Sequence, residues 1–139
     1  MSYLIVTNNV AVKKDFDNVL FIEGTFEDVL VKVRDLVHQG VELISHPIGA
    51  SIRMLFSPYR SIIVGEKNPK INSYHVETIE SSIINYRNVN KGRKTDIKNA
   101  DDYALVDVEL LKASLKAFEE INNNRQSKLF GGDSFETRA

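Results

Sequence analysis

His46 stands at the end of an apolar run, Val41-Glu42-Leu43-Ile44-Ser45, and is followed at once by Pro47. An imidazole held there can donate to an anion, bind a metal or move a proton near neutral pH. It can equally pin its own turn by bonding a main-chain carbonyl. Downstream, Ser57-Pro58-Tyr59-Arg60-Ser61 places hydroxyls and a guanidinium close together, and arginine makes planar, paired bonds to carboxylate or phosphate. With Ser51, these residues make an anion-friendly rim for His46, although each type is also common in plain turns. Asn8 and Asn9 follow another apolar run. They can hold a polar ligand through donor and acceptor pairs, or serve as a turn and a helix cap. The candidate ligand-binding set is therefore Asn8, Asn9, His46, Ser57, Tyr59 and Arg60.

Other chemistry has less support. His38 falls off the apolar stripe of its helix, near a C-terminus that favours a cation, and His75 carries no special signal. Arg34 flanks the same helix as His38, where a neighbouring carboxylate can pair with it. The chain has no glycine-rich phosphate loop, dinucleotide fingerprint or His-Glu metal signature. Nothing fixes a nucleophile beside His46, so the catalytic residues are unassigned. No cofactor and no metal is expected.

The elements that must position these residues are mostly readable. Apolar runs at 3–6, 19–22, 41–44 and 60–64 fit strands covered on both faces. Phe26, Val29, Leu30, Val33, Leu36 and Val37 recur at helical spacing. Thr25 and Asp28 form a capping box at the start of that helix, and Gly40 supplies its stop. Ser73 is placed to cap a helix carrying Val76, Ile79, Ile83 and Ile84 on one face. Asp107 is placed to cap a last helix with Leu110, Leu111, Leu115, Phe118 and Ile121 inward. Between them, 88–102 reads as a solvated connector with Lys91, Arg93, Lys94 and Lys98 diluted by acids.

These elements predict one layered α/β domain over 1–122, with a four-stranded, mostly parallel sheet and about three helices, then a flexible tail over 123–139. The unit from 19 to 45 predicts a parallel pair joined by a right-handed crossover. The short link from Thr7 to Val19 leaves an antiparallel or irregular first strand open. In such sheets ligands gather beyond the carboxyl ends of the strands. Those ends are Thr7-Asn8-Asn9, Glu23-Gly24, Ser45-His46-Pro47 and Gly65-Glu66.

At 139 residues the chain can bury a real core without staples. A net charge of −1 argues against strong nonspecific attraction to nucleic acid or anionic membrane. With no cysteine, disulfides, thiol catalysis and Cys-ligated zinc are excluded. The first apolar run is too short for a signal peptide core or a membrane span, and a cytoplasmic protein is expected.

Taken together, Ile5-Val6-Thr7-Asn8-Asn9, Val33-Arg34-Asp35-Leu36-Val37-His38-Gln39-Gly40, Ser45-His46-Pro47 and Ser57-Pro58-Tyr59-Arg60-Ser61 resemble the GrdX family. The order and spacing of these pieces carry the resemblance, over most of the first 85 residues. The chain departs from the family pattern at Val10, at Val41 and at Arg53-Met54-Leu55, the last making the long loop more apolar. The resemblance implies an accessory protein of glycine, sarcosine and betaine reductase systems, without implying a mechanism. Three readings follow. One is noncatalytic binding of a small anionic ligand, the favoured one. The second is a small enzyme with His46 as general acid or base and Arg60 orienting an anion. The third is docking on reductase components through the Met54-Leu55-Phe56 loop, since exposed apolar residues can mark a partner surface.

Overall fold

Two central strands hold the molecule together, and both are apolar on each face because each face is covered. In the computed structural model, which describes the backbone of residues 2–49 and 51–131 and side chains as far as Arg125, these strands are β1 (Leu4–Thr7) and β4 (Ser61–Lys67). Flanking them are β2 (Val19–Phe21), beside β1, and β3 (Val41–Leu43), beside β4, in the order β2-β1-β4-β3. Side chains alternate between faces along each strand. Val6, Ile62 and Val64 enter one core, while Ile5 and Ile63 enter the other.

The first core lies under α2 (Phe26–His38) and α3 (Ser73–Asn90), with Val29, Leu30, Val33, Ile79 and Ile83 buried in it. Phe26 and Tyr86 stack there at 4.5 Å between ring centroids. The second core lies under α1 (Val10–Asp15) and α4 (Ala100–Gly131), with Val12, Val108, Leu111 and Leu115 buried. Burying each large apolar side chain stabilises by about 1.5–3 kcal/mol before the entropy of ordering is subtracted.

Helix α2 has the expected ends. Thr25 Oγ1 accepts from the Asp28 N–H and Asp28 Oδ2 accepts from the Thr25 N–H, closing the capping box. Gly40 ends it at φ +99°, and its carbonyl accepts from the Asn68 N–H at 2.8 Å. A Cβ on Gly40 would collide with the Asn68 carbonyl oxygen, so this position needs glycine for both conformation and space.

The sheet is mixed, which corrects the mostly parallel expectation. Among the described residues only β1 and β2 pair in parallel; β4 runs antiparallel to both β1 and β3. Among its described residues the link before β4 holds no crossover helix, only a 3-10 turn at Ile52–Phe56, and the strand returns antiparallel. The strand-helix-strand unit from 19 to 45 is likewise not a paired unit. Helix α2 carries the chain from one sheet edge to the other, and β1 and β4 fill the space between. For β1 and β2, by contrast, the six-residue α1 suffices as a parallel connection.

Several helix boundaries also differ. Asn72, not Ser73, caps α3, its Oδ1 accepting from the His75 N–H at 3.1 Å. Helix α4 starts at Ala100, so Asp107 is no cap but lies inside it, and the connector shrinks to 91–99. Ile84, Leu110 and Ile121, expected inward, are 57%, 41% and 56% exposed. The segment from 123 onward begins inside α4, and the part of that expected tail beyond 131 lies outside the described residues. Among the described residues, no helix is long and apolar enough to cross a membrane.

Candidate functional site

Because β4 opposes the other strands, its N-terminal end meets their C-terminal ends. One edge of the sheet therefore collects Asn8 and Asn9, Gly24, Ser45-His46-Pro47 and Pro58 to Ser61. Gly65 and Glu66, expected there on the parallel reading, are at the opposite end.

Asn8 clamps this edge. Its Nδ2 donates to the carbonyls of Gly24 (3.0 Å) and Pro58 (2.8 Å), and its Oδ1 accepts from the Arg60 N–H at 2.9 Å. Its amide is thus engaged by main chain of three residues from two segments. Asn9 is similarly occupied. Its Oδ1 caps α1 through the Ala11 N–H, and its Nδ2 donates to the Ala104 carbonyl and to Asp107 Oδ2.

Asp107, 1% exposed, is the hub beneath them. Its Oδ1 accepts from the Ser61 N–H at 3.0 Å, and its Oδ2 accepts from the Ser61 hydroxyl at 2.7 Å. The Ser61 proton being used there, the 2.7 Å contact between Thr7 Oγ1 and Ser61 Oγ runs with Thr7 as donor. Thr7 Oγ1 in turn accepts from the Asn9 N–H at 3.0 Å. This closed set joins β1, β4 and α4, and every bond in it is internal. Buried polar groups are satisfied in this way or cost stability.

Ser57 and Tyr59 form a local turn. Ser57 Oγ accepts from the Tyr59 N–H and donates to the Tyr59 carbonyl, both at 2.9 Å, and Ser57 is buried.

Arg60 is different. It is only 7% exposed, and its Nε and Nη2 donate to the carbonyls of Pro47 and His46, each at 2.7 Å. Burial draws the guanidinium pKa down from its ordinary value, and the nearby Asp107 carboxylate opposes that shift. No carboxylate lies within ion-pair distance of Arg60 among the described residues. Gly49, at φ +65°, passes against the guanidinium. The exposed His46 beside it accepts from the Ile48 N–H on Nδ1 at 3.3 Å. Its pKa is lowered, first by partial burial and second by the positive charge of Arg60.

His46 and Arg60 line a common cavity of about 380 Å³, with Ser45, Ser51 and Ser114 as polar wall and Ile48, Met54, Leu110 and Leu111 as apolar wall; Ser61 also borders it, its hydroxyl engaged by Asp107. An adjoining hollow of about 320 Å³ shares Ser45, His46, Ser114 and Ala117 and adds Glu42, Phe118 and Arg125. The structure thus brings together His46 and Arg60 from the candidate set. Asn8, Asn9, Ser57 and Tyr59 lie behind the cavity and build its frame without lining it.

Sequence reasoning missed Asp107 and the α4 wall. The available signal was an acid standing at helical spacing with Ala104, Leu111 and Ser114, on a face that is otherwise apolar or small. Leu55, expected as part of an exposed docking loop, is buried in the first core, and Met54 is buried at the cavity wall. Exposed His38 pairs with Glu80 at 2.9 Å across α2 and α3. His75 Nδ1 accepts the Leu43 N–H and covers an amide of the edge strand β3. Arg34 contacts Asp35 at 3.8 Å on the surface. Among the described residues, no three acidic or histidine side chains converge as metal ligands would.

No curated protein and no solved structure matches the chain. The family model described as GrdX-like protein matches residues 4–116, a span that contains all four strands, the Asn8 and Asp107 network and most of the cavity wall, and the chain belongs to that family.

Proposed function

We propose that this protein is a noncatalytic accessory protein of glycine, sarcosine and betaine reductase metabolism that binds a small anionic ligand in the cavity of His46 and Arg60. The family supports the metabolic setting by what its name implies. One observation carries the binding role: a buried guanidinium lines a cavity with apolar walls and has no carboxylate partner in ion-pair range. A buried charge whose nearby carboxylate, Asp107, is not in ion-pair contact is only partly compensated, and an entering anion relieves the remaining cost. In a site of low dielectric the attraction is also stronger than in water. Docking on a reductase component has weaker support, because Met54 and Leu55 are buried.

Calorimetry with acetate, hexanoate, acetyl phosphate, phosphate, glycine and betaine tests the reading. At least one should give heat that disappears in Arg60→Gln. Silence from the whole panel at millimolar concentration would overturn it.

A second reading, general acid–base chemistry at His46, has one observation in its favour. The lowered pKa keeps the imidazole neutral, hence able to accept a proton, at neutral pH. Turnover of reductase-pathway substrates that is lost in His46→Ala would select it.

A further inference from the structure

Resting on the anion-binding reading, the groups that line the cavity narrow the class of ligand. Arg60 uses one edge of its guanidinium, Nε with Nη2, on the consecutive carbonyls of Pro47 and His46. That grip fixes the plane of the group. The outer edge, formed by Nη1 and Nη2, has no protein acceptor among the described residues. Two parallel N–H groups on one edge match the two oxygens of a carboxylate.

Charge then discriminates among anions. Arg60 is the one residue with a fixed positive charge among the described residues of this wall. Its field already falls partly on the buried Asp107. A dianion such as phosphate would bring a second negative charge with no cation to meet it. An amino acid brings the opposite difficulty. Among the described residues the wall contains no carboxylate and no Phe, Tyr or Trp ring, so a substrate ammonium would be desolvated with neither an ion pair nor the electron-rich ring face that cations favour. Glu42 and Phe118 line only the adjoining hollow. Ile48, Met54, Leu110 and Leu111 instead offer apolar surface.

We infer that the cavity takes an aliphatic monocarboxylate, its carboxylate forked on the outer edge of Arg60 and its alkyl chain laid against Met54, Leu110 and Leu111. Each methylene that reaches this wall should tighten binding about fourfold, as hydrocarbon transfer from water predicts.

The test is calorimetry on the full chain with acetate, butyrate and hexanoate, against 2-aminohexanoate, phosphate and hexanol. Affinity should climb along the acid series, with 2-aminohexanoate, phosphate and hexanol each at least about tenfold weaker than hexanoate. Arg60→Gln should abolish hexanoate binding. Because Arg60 also holds its loop, Ser114→Asp supplies a second variant, which sets a negative charge in the wall without touching the Asp107 network. It should weaken hexanoate at least about tenfold while the circular dichroism stays native.

If phosphate or 2-aminohexanoate binds as tightly as hexanoate, or the acids show no dependence on chain length, this inference falls and the broader anion reading survives. If none of this panel binds, the inference falls, and if acetyl phosphate, glycine and betaine are silent as well, the anion reading falls with it. Unchanged hexanoate binding in Ser114→Asp would move the ligand elsewhere and overturn the assignment.

Discussion

Ser61 gives both its main-chain N–H and its hydroxyl to the carboxylate of Asp107, at 3.0 and 2.7 Å, in a site that is closed to solvent. This pairing fixes α4 against the start of β4, and therefore sets the width of the cavity between that helix and the His46 loop. Asp107→Ala would strand the Ser61 and Asn9 donors. Hydrogen bonds to charged groups contribute about 1.5–3 kcal/mol each, and the stranded donors add to the loss, so a cost of roughly 3–5 kcal/mol is expected. Urea unfolding measures it. A variant within about 1 kcal/mol of the parent would mean that apolar contacts from Val108, Leu111 and Leu115 alone hold the helix.

Asn8 tests whether the Asn pair frames the site or touches a ligand. Its amide donates to two carbonyls and accepts one N–H, a combination that aspartate cannot reproduce. Asn8→Asp and Asn8→Ala should both destabilise, by about 2–4 kcal/mol. Normal thermal stability with lost ligand affinity would contradict the framing role.

The fold was legible where residue type carries the physics and obscure where it does not. Helix α2 shows its periodicity, its capping box and its glycine stop in one stretch, and all three hold in the structure. The strands announce themselves as apolar runs because both faces are covered. That same coverage hides their direction: Ile62, Ile63 and Val64 would read the same in a parallel strand. Asn8 and Asn9 were placed at the strand ends beside His46, and Ser57 and Tyr59 were read as its rim, yet an amide or hydroxyl satisfied by main chain looks in sequence like one awaiting a ligand. Asp107 was misread for a related reason. An acid ahead of an apolar helical stripe has the signature of a cap, and only the approach of Ser61, far away in sequence, gives it another role.

His46 should titrate below its ordinary value of 6.5, because partial burial and then the Arg60 charge disfavour the imidazolium. NMR titration of its ring protons checks this, and Arg60→Gln should move the value back up. The stability linkage has a definite sign. Between the lowered folded pKa and 6.5 the unfolded chain binds more protons, so stability increases with pH across that window. The contribution is complete above 6.5 and lost as the solution is acidified through the window. A folded value at or above 6.5 would contradict both the partial burial of the ring and its proximity to the Arg60 charge.

Gly40 is a backbone test independent of the cavity. Alanine there must hold φ near +99° and push its Cβ onto the Asn68 carbonyl, whose residue also donates to Gly40. Left-handed strain of this kind costs about 1–3 kcal/mol, and the close approach adds displacement of the 68–72 segment that leads into α3. A melting temperature within error of the parent would show that the α2–β3 turn can reform without the Asn68 bond.

Arg60→Lys separates charge from geometry at the site itself. Lysine keeps the positive charge but replaces a planar fork with a compact ammonium. It cannot hold the His46 and Pro47 carbonyls along one edge while presenting a second edge to a ligand. The loop should loosen, which hydrogen exchange at the Ile48 amide would register as faster, since that N–H is bonded only to His46 Nδ1 among the described residues. Loss of the two charge-assisted bonds should lower stability by about 2–3 kcal/mol. Anion affinity should fall at least about tenfold even though the charge remains. If the lysine variant binds as tightly as the parent, a simple positive potential suffices, and the planar grip seen at Arg60 serves the loop alone.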